Sequence, residues 1–134
     1  MPQFGDKSKT MMSSIHPKLQ RILCVAIKII DFSIIEGHRT EERQKQLVAE
    51  GKSKTMNSKH LPYPSEAVDI APCPYPDMNN PRDVQQIYFL IGIIVGIANM
   101  LDIKIRVGAD FNGDNDIRNE TFLDAFHLEI LEQK

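Results

Sequence analysis

Residues 67–71 read Ala-Val-Asp-Ile-Ala, a short apolar run with one carboxylate at its centre. The run is typical of a strand, in which Val68 and Ile70 point to one face and Asp69 points to the other. A carboxylate in a largely buried strand is costly unless it is hydrogen-bonded, paired or bound to a metal. The run therefore predicts a core strand that carries either a metal ligand or an aspartate bonded to backbone amides.

Helical and extended patterns surround this strand without a regular alternation. Apolar residues at helical spacing predict helices, and short β-prone runs predict strands. The predicted helices cover residues 17–30, 40–51 and 81–101, and the other predicted strands cover residues 32–35, 103–107 and 126–131. With no internal repeat and no linker, we expect one α+β domain over residues 1–134, with a small antiparallel or mixed sheet packed by about three helices.

Composition and charge exclude several classes of protein. The chain has 134 residues, 42% hydrophobic and 25% charged, as in soluble globular domains. Sixteen Lys and Arg against 18 Asp and Glu leave a net charge of -2, so we expect no nucleic-acid partner. The first ten residues are polar and lack the apolar stretch of a secretory signal, which predicts synthesis in the cytoplasm.

Two apolar segments require an interpretation. Residues 87–101 would form a helix of about 22 Å, short of a hydrocarbon core of roughly 30 Å, so we expect a core helix without stable membrane insertion. Gly92 and Gly96 form a GxxxG pair, which occurs in membrane helices but also allows a soluble helix to approach a sheet closely. The alternative interpretation of this helix is a membrane-inserted lysis helper.

Cys24 lies in an apolar helical pattern and is predicted to be a buried thiol, so a disulfide with Cys73 is unsupported.

A second polar cluster lies at residues 124–129, Asp-Ala-Phe-His-Leu-Glu. On a strand His127 and Glu129 share one face, and Asp124 stands at the start of that strand. With His60, which ends a polar loop, the chain offers two histidines and the strand carboxylate, the ligand types of a catalytic zinc site whose fourth ligand is water. An unligated carboxylate must then take the proton of that water, and Asp124 or Glu129 could do so.

Several stretches together resemble the motifs of zinc peptidases of the D-alanyl-D-alanine carboxypeptidase and dipeptidase type. The resemblance is strongest to the small L-alanyl-D-glutamate peptidases that serve as bacteriophage endolysins, and it covers nearly the whole chain. It implies a hedgehog/DD-peptidase-like fold with a zinc site on the sheet. The stretches are residues 37–40 (Gly-His-Arg-Thr), 58–60 (Ser-Lys-His), 67–69 (Ala-Val-Asp), 106–111 (Arg-Val-Gly-Ala-Asp-Phe) and 124–129.

The resemblance implies roles for individual residues. His60, Asp69 and His127 would bind Zn²⁺, and Asp124 would be the catalytic acid/base. Glu129 and Asp110 are possible secondary site residues.

Arg39 would hold the substrate and the developing oxyanion, because family members place an arginine after the first strand. The alternative is a surface arginine at a helix start, bound to Glu36 or Glu42. One departure from the family pattern is the longer step from the first histidine to the aspartate, in which residues 61–66 contain two prolines and no glycine. We expect this departure to alter substrate contacts more than metal ligands.

The loop at residues 110–116 offers oxygen ligands around a glycine, somewhat like the start of a calcium loop. It lacks the downstream glutamate of an EF-hand, and we favour a solvated acidic turn.

The function implied by the resemblance is hydrolysis of a peptide bond in peptidoglycan stem peptides, by an L-alanyl-D-glutamate endopeptidase or a D-Ala-D-Ala carboxypeptidase. The enzyme would be a monomeric zinc metallopeptidase and phage endolysin without a separate wall-binding domain. It would stay in the host cytoplasm until a holin-like, membrane-permeabilising partner gives access to the wall. The alternative is a non-catalytic metal-containing binding protein of the same fold, which would have little need of Asp124.

Overall fold

The computed structural model describes residues 2–53, 55–119 and 124–131, and in these ranges four α-helices pack around a four-stranded sheet. The helices are α1 (Asp6–Met12), α2 (Pro17–Ala26), α3 (Glu41–Ala49) and α4 (Pro81–Met100). The strands are β1 (Phe32–Glu36), β2 (Ala67–Pro72), β3 (Ile105–Val107) and β4 (His127–Ile130). The predicted α+β fold with a small sheet is confirmed.

The sheet has the order β1-β2-β4-β3, and each neighbouring pair is antiparallel. β2 and β4 are therefore the two central strands, although they are far apart in the sequence. Their register places Asp69 directly opposite His127. Directly opposed residues of an antiparallel pair project from the same face, so the sheet itself brings these two side chains together.

A β-bulge interrupts β1. Ile34 pairs with Ile70 and Glu36 pairs with Asp69, so Ile35 is an extra residue on this strand. Regular alternation would put Glu36 on the same face as Ile34, which is buried in the core. The bulge instead turns Glu36 to the face that carries Asp69.

The hydrophobic core lies on the opposite face of the sheet. Val68 and Ile70 of β2 and Leu128 of β4 are fully buried there. Helices α2 and α4 pack against each other and against this face. The apolar positions at helical spacing in α2 supply its buried side, which consists of Leu19, Ile22, Leu23 and Ala26. The second face of the sheet is thereby left for polar residues.

The N-terminal region differs from the prediction. Helix α1 was not expected; the hydroxyl of its buried Ser8 accepts a hydrogen bond from the backbone N–H of Ile34 at 3.0 Å and fixes α1 against β1. Helix α2 ends at Ala26, and the following turns still bury Ile30. The prediction of a buried Cys24 is wrong, because this residue is exposed on the outer side of α2.

Helix α4 is long and apolar enough, by length and composition alone, to cross a membrane, a test that core helices also pass. One side of it, which includes Ile87, Leu90 and Ile94, is buried in the core. Gly92 and Gly96 lie on the other side, and a Cβ atom added at either would meet no heavy atom within 4 Å. The close approach to the sheet that the GxxxG spacing would allow therefore does not occur at these glycines.

Candidate active site

The structure brings His60, Asp69 and His127 into one cluster. Asp69 Oδ1 lies 3.0 Å from Nδ1 of His127 and 3.4 Å from Nε2 of His60. One ligand atom from each residue lies within 4.8 Å of the other two. The three side chains come from the loop before β2, from β2 and from β4, so the fold brings together the three residues that were predicted to bind a metal.

His60 is held in one orientation and presents a free nitrogen to the cluster. Its Nδ1 lies 2.7 Å from the carbonyl oxygen of Gly37, and because a carbonyl only accepts, Nδ1 carries the proton. Nε2 then bears the lone pair and has no hydrogen-bond partner among the described residues, although the side chain is only 2% exposed. A buried nitrogen of this kind, aimed at a carboxylate, suits a metal ion.

The electrostatics of the cluster favour a bound cation. Burial by itself raises the pKa of Asp69, but its hydrogen bond with His127 and its close approach to His60 outweigh burial and hold the pKa well below the usual range. Burial by itself lowers the pKa of His127, but its hydrogen bonds to Asp69 and Glu129 raise that pKa to about 9. Two imidazoles and one ionised carboxylate are the protein ligand types of a catalytic zinc site, whose fourth ligand is water.

Asp124 lies just before β4, and its carbonyl oxygen accepts a hydrogen bond from the backbone N–H of His127 at 3.0 Å. The residue is exposed, but partial desolvation of its carboxyl raises the pKa, and the negative charge of Asp69 raises it further. The positive charge of Arg39 acts in the opposite direction. A carboxyl whose pKa is shifted towards neutrality next to a candidate metal centre is suited to acid/base catalysis.

Arg39 is a mostly buried residue, and its guanidinium has fixed partners. Its Nε bonds Glu36 on the bulged strand, and its Nη1 donates to the side-chain oxygen of Gln44 at 2.7 Å. Its backbone N–H donates to the carbonyl oxygen of His60 at 2.8 Å. The alternative interpretation, a surface arginine bound to Glu36 or Glu42, is wrong about exposure because Arg39 is mostly buried. It is confirmed for one of the two partners, since Glu36 does bind Arg39. Sequence analysis missed Gln44, which is completely buried in α3.

The two possible secondary residues occupy different places. Glu129 is 4% exposed, and its two oxygens contact His127 Nε2 at 3.1 Å and Arg106 Nη2 at 3.0 Å. Asp110 is also buried, but its Oδ2 accepts a hydrogen bond from the backbone N–H of Asn115 within the loop after β3. Only Glu129 therefore touches the cluster.

Asp110 lines a groove of about 760 Å³ between α4 and the loop after β3. Arg106 also lines this groove, whereas the described residues that line it do not include the His60, Asp69 and His127 cluster. This groove is therefore separate from the candidate metal centre.

The longer loop between His60 and Asp69 still returns to the sheet. Ser65, in this loop, is fully buried and forms backbone hydrogen bonds with Ser14 and His16. Its hydroxyl donates to the carbonyl oxygen of Ala67 at the start of β2. These bonds anchor the loop, so its greater length does not separate the histidine from the aspartate.

Gly108 packs directly against Asp124. A Cβ atom at Gly108 would overlap the carbonyl oxygen of Asp124 and lie 2.8 Å from its carbonyl carbon. We expect Gly108→Ala to displace the Asp124 backbone and lower turnover by about 10²-fold, the effect of a misplacement of about 1 Å, while metal content is kept. Gly96→Ala is the control, since a Cβ there meets nothing. Equal turnover of the two variants, measured on a stem peptide, would contradict this role of Gly108.

Comparison with known proteins identifies the family to which the chain belongs. The sequence profile of the family described as phage L-alanyl-D-glutamate peptidase matches residues 1–131. The chain is 28% identical over 137 residues to the L-alanyl-D-glutamate peptidase of Escherichia phage T5, covering 96% of this chain and 98% of that protein. The fold resembles that of the Serratia marcescens L-Ala D-Glu endopeptidase ChiX, with a TM-score of 0.71, 22% identity, and coverage of 96% of this chain and 90% of that one. The resemblance indicated by the motifs is thus confirmed, and the chain belongs to the phage L-alanyl-D-glutamate peptidase family.

Proposed function

We propose that this protein is a zinc-dependent peptidase that hydrolyses the bond between L-alanine and D-glutamate in peptidoglycan stem peptides. The observation that carries the proposal is the buried, unpartnered Nε2 of His60 facing the carboxylate of Asp69, with His127 on the other side. The names of the phage T5 relative and of the Serratia enzyme favour this endopeptidase activity over that of a D-Ala-D-Ala carboxypeptidase.

The residues around the cluster are suited to distinct steps of hydrolysis. Zinc held by His60, Asp69 and His127 would supply a Lewis acid and lower the pKa of a bound water to about 7. Asp124 accepts the proton of the attacking water and delivers it to the leaving amine. Arg39, fixed by its own partners, stabilises the negative charge that develops on the carbonyl oxygen.

We also propose the setting in which the enzyme acts. As a phage endolysin it would be made in the host cytoplasm, with residues 1–134 acting as one catalytic domain and as a monomer. Peptidoglycan lies outside the cytoplasmic membrane, so a holin-like partner that permeabilises the membrane would give it access. The family membership and the phage T5 relative support this setting.

Incubation of purified, zinc-loaded protein with isolated peptidoglycan tests the reaction. We expect mass spectrometry to show new amino termini at D-glutamate and stem peptides released from the glycan strands. The Asp124→Asn protein, prepared in the same way, is the control for contaminating hydrolases. Release of D-alanine without new D-glutamate termini would indicate a carboxypeptidase instead, and intact peptidoglycan with stoichiometric zinc would favour a binding protein.

A further inference from the structure

The two histidines of the cluster are oriented by different kinds of group. Nδ1 of His60 donates to a backbone carbonyl, that of Gly37, which no side-chain substitution can remove. Nε2 of His127 instead faces the carboxylate of Glu129, 3.1 Å away. A histidine that binds a metal through one nitrogen donates the N–H of the other, and the acceptor fixes the tautomer and the ring orientation.

Glu129 is itself firmly held. It stands opposite Arg106 in the β3–β4 register, and Nη2 of Arg106 lies 3.0 Å from its Oε2. Lys59 Nζ lies 4.0 Å from the same oxygen. A carboxylate that is 4% exposed requires such partners, because burial of an unpaired charge is costly. With both oxygens occupied, Glu129 is poorly placed to take a proton from water but well placed to orient a ring.

We propose that Glu129 is a positioning residue that accepts the Nε2–H of His127 and so presents the Nδ1 lone pair of His127 to the metal. Arg106 holds Glu129 in the orientation that this requires. The inference rests on the proposed zinc peptidase function and assigns Glu129 a role different from that of the acid/base Asp124.

The test is zinc affinity, measured by competition with a chromophoric chelator, alongside turnover of a stem peptide. Glu129→Ala is expected to lower zinc affinity by about 10- to 100-fold, the usual cost of removing such a partner, with turnover largely restored at saturating zinc. Glu129→Gln keeps an oxygen that can accept the same hydrogen bond, so it should recover most of the affinity. Glu66→Ala is the matched control, because Glu66 also lies near Lys59 but is half exposed.

Nitrogen-15 NMR of the zinc-loaded wild-type protein tests the tautomer without any substitution. We expect His127 to carry its proton on Nε2 and to bind zinc through Nδ1. Zinc bound through Nε2 would overturn the proposal, and so would wild-type zinc affinity in a folded Glu129→Ala protein. Unchanged affinity with turnover lost at saturating zinc would assign Glu129 to acid/base catalysis instead.

These outcomes are separable from failure of the proposed function. If the wild-type protein binds zinc with the expected tautomer but does not cut peptidoglycan, the peptidase function fails and the positioning role stands. If it cuts peptidoglycan while Glu129→Ala matches it in zinc affinity, the positioning role alone fails. A wild-type protein that binds no zinc overturns both.

Discussion

His60→Ala is expected to abolish both stoichiometric zinc binding and peptidoglycan hydrolysis. The substitution removes the one buried nitrogen of the cluster that has no partner among the described residues, and two ligands cannot hold a catalytic zinc as three do. At zinc concentrations about 100 times the dissociation constant, binding adds about 2.7 kcal/mol to the stability of the wild-type protein. For a chain of this size that corresponds to a zinc-dependent rise in Tm of roughly 10 °C, which the variant should lack.

Metal analysis, a thermal melt with and without zinc, and the peptidoglycan assay measure these three effects. His16→Asn is the control, because His16 caps α2 and asparagine can take over that cap. It should keep zinc, activity and the zinc-dependent rise in Tm. Stoichiometric zinc that survives in His60→Ala, Asp69→Ala and His127→Ala would rule out this cluster as the metal centre.

Asp124→Asn is expected to keep zinc and the fold but to lose turnover by about 10²- to 10⁴-fold. Asparagine has nearly the same shape as aspartate but cannot accept the proton of the attacking water, and a positioned acid/base contributes a factor of this size. Zinc content, circular dichroism and the rate of stem-peptide cleavage are the measurements. The effect should appear in kcat, because the role proposed for Asp124 is to accept the proton of the attacking water and not to bind the metal.

Glu129→Gln is the matched comparison for Asp124→Asn, since both changes replace a carboxylate by an amide beside the same histidine. At saturating zinc we expect Glu129→Gln to retain most of its turnover. If Asp124→Asn stayed near the wild-type rate while Glu129→Gln lost turnover, the roles of the two residues would have to be exchanged. Equal activity of all three proteins would contradict an acid/base at either position.

Much of the candidate site could be predicted because its signals are local. Alternation along β2 and β4 already places Asp69, His127 and Glu129 away from the apolar face, and the structure agrees. The sequence could not show that β2 and β4 are neighbours in the sheet, since their pairing joins distant parts of the chain. Gln44 was missed for a similar reason, because nothing in a polar helix indicates that one glutamine is buried against an arginine.

The errors in the fold have a common physical origin. Cys24 was assigned to the packed side of α2 from the apolar character of the segment, and the GxxxG spacing of α4 was interpreted as one that allows a close approach to the sheet. Whether a helical residue is buried depends on the side of the helix on which it lies, and all three residues lie on the outer side. Helix α1 was not predicted because it is short, and the contacts that dock it, such as the hydrogen bond between Ser8 and the backbone of β1 and the packing of Met11 and Met12 against the core, depend on the tertiary fold.

The bulge at Ile35 lets a single strand, β1, both pack in the hydrophobic core and supply a charged side chain to the candidate site. Before it, β1 follows the apolar alternation of the hydrophobic core, and after it Glu36 joins a row of charged side chains with Asp69 and His127. One face of the sheet thus packs against the core, and the other face carries the charged residues of the candidate site. Replacement of residues in the row of Glu36, Asp69 and His127 can change the chemistry of the domain while the core on the reverse side keeps its packing.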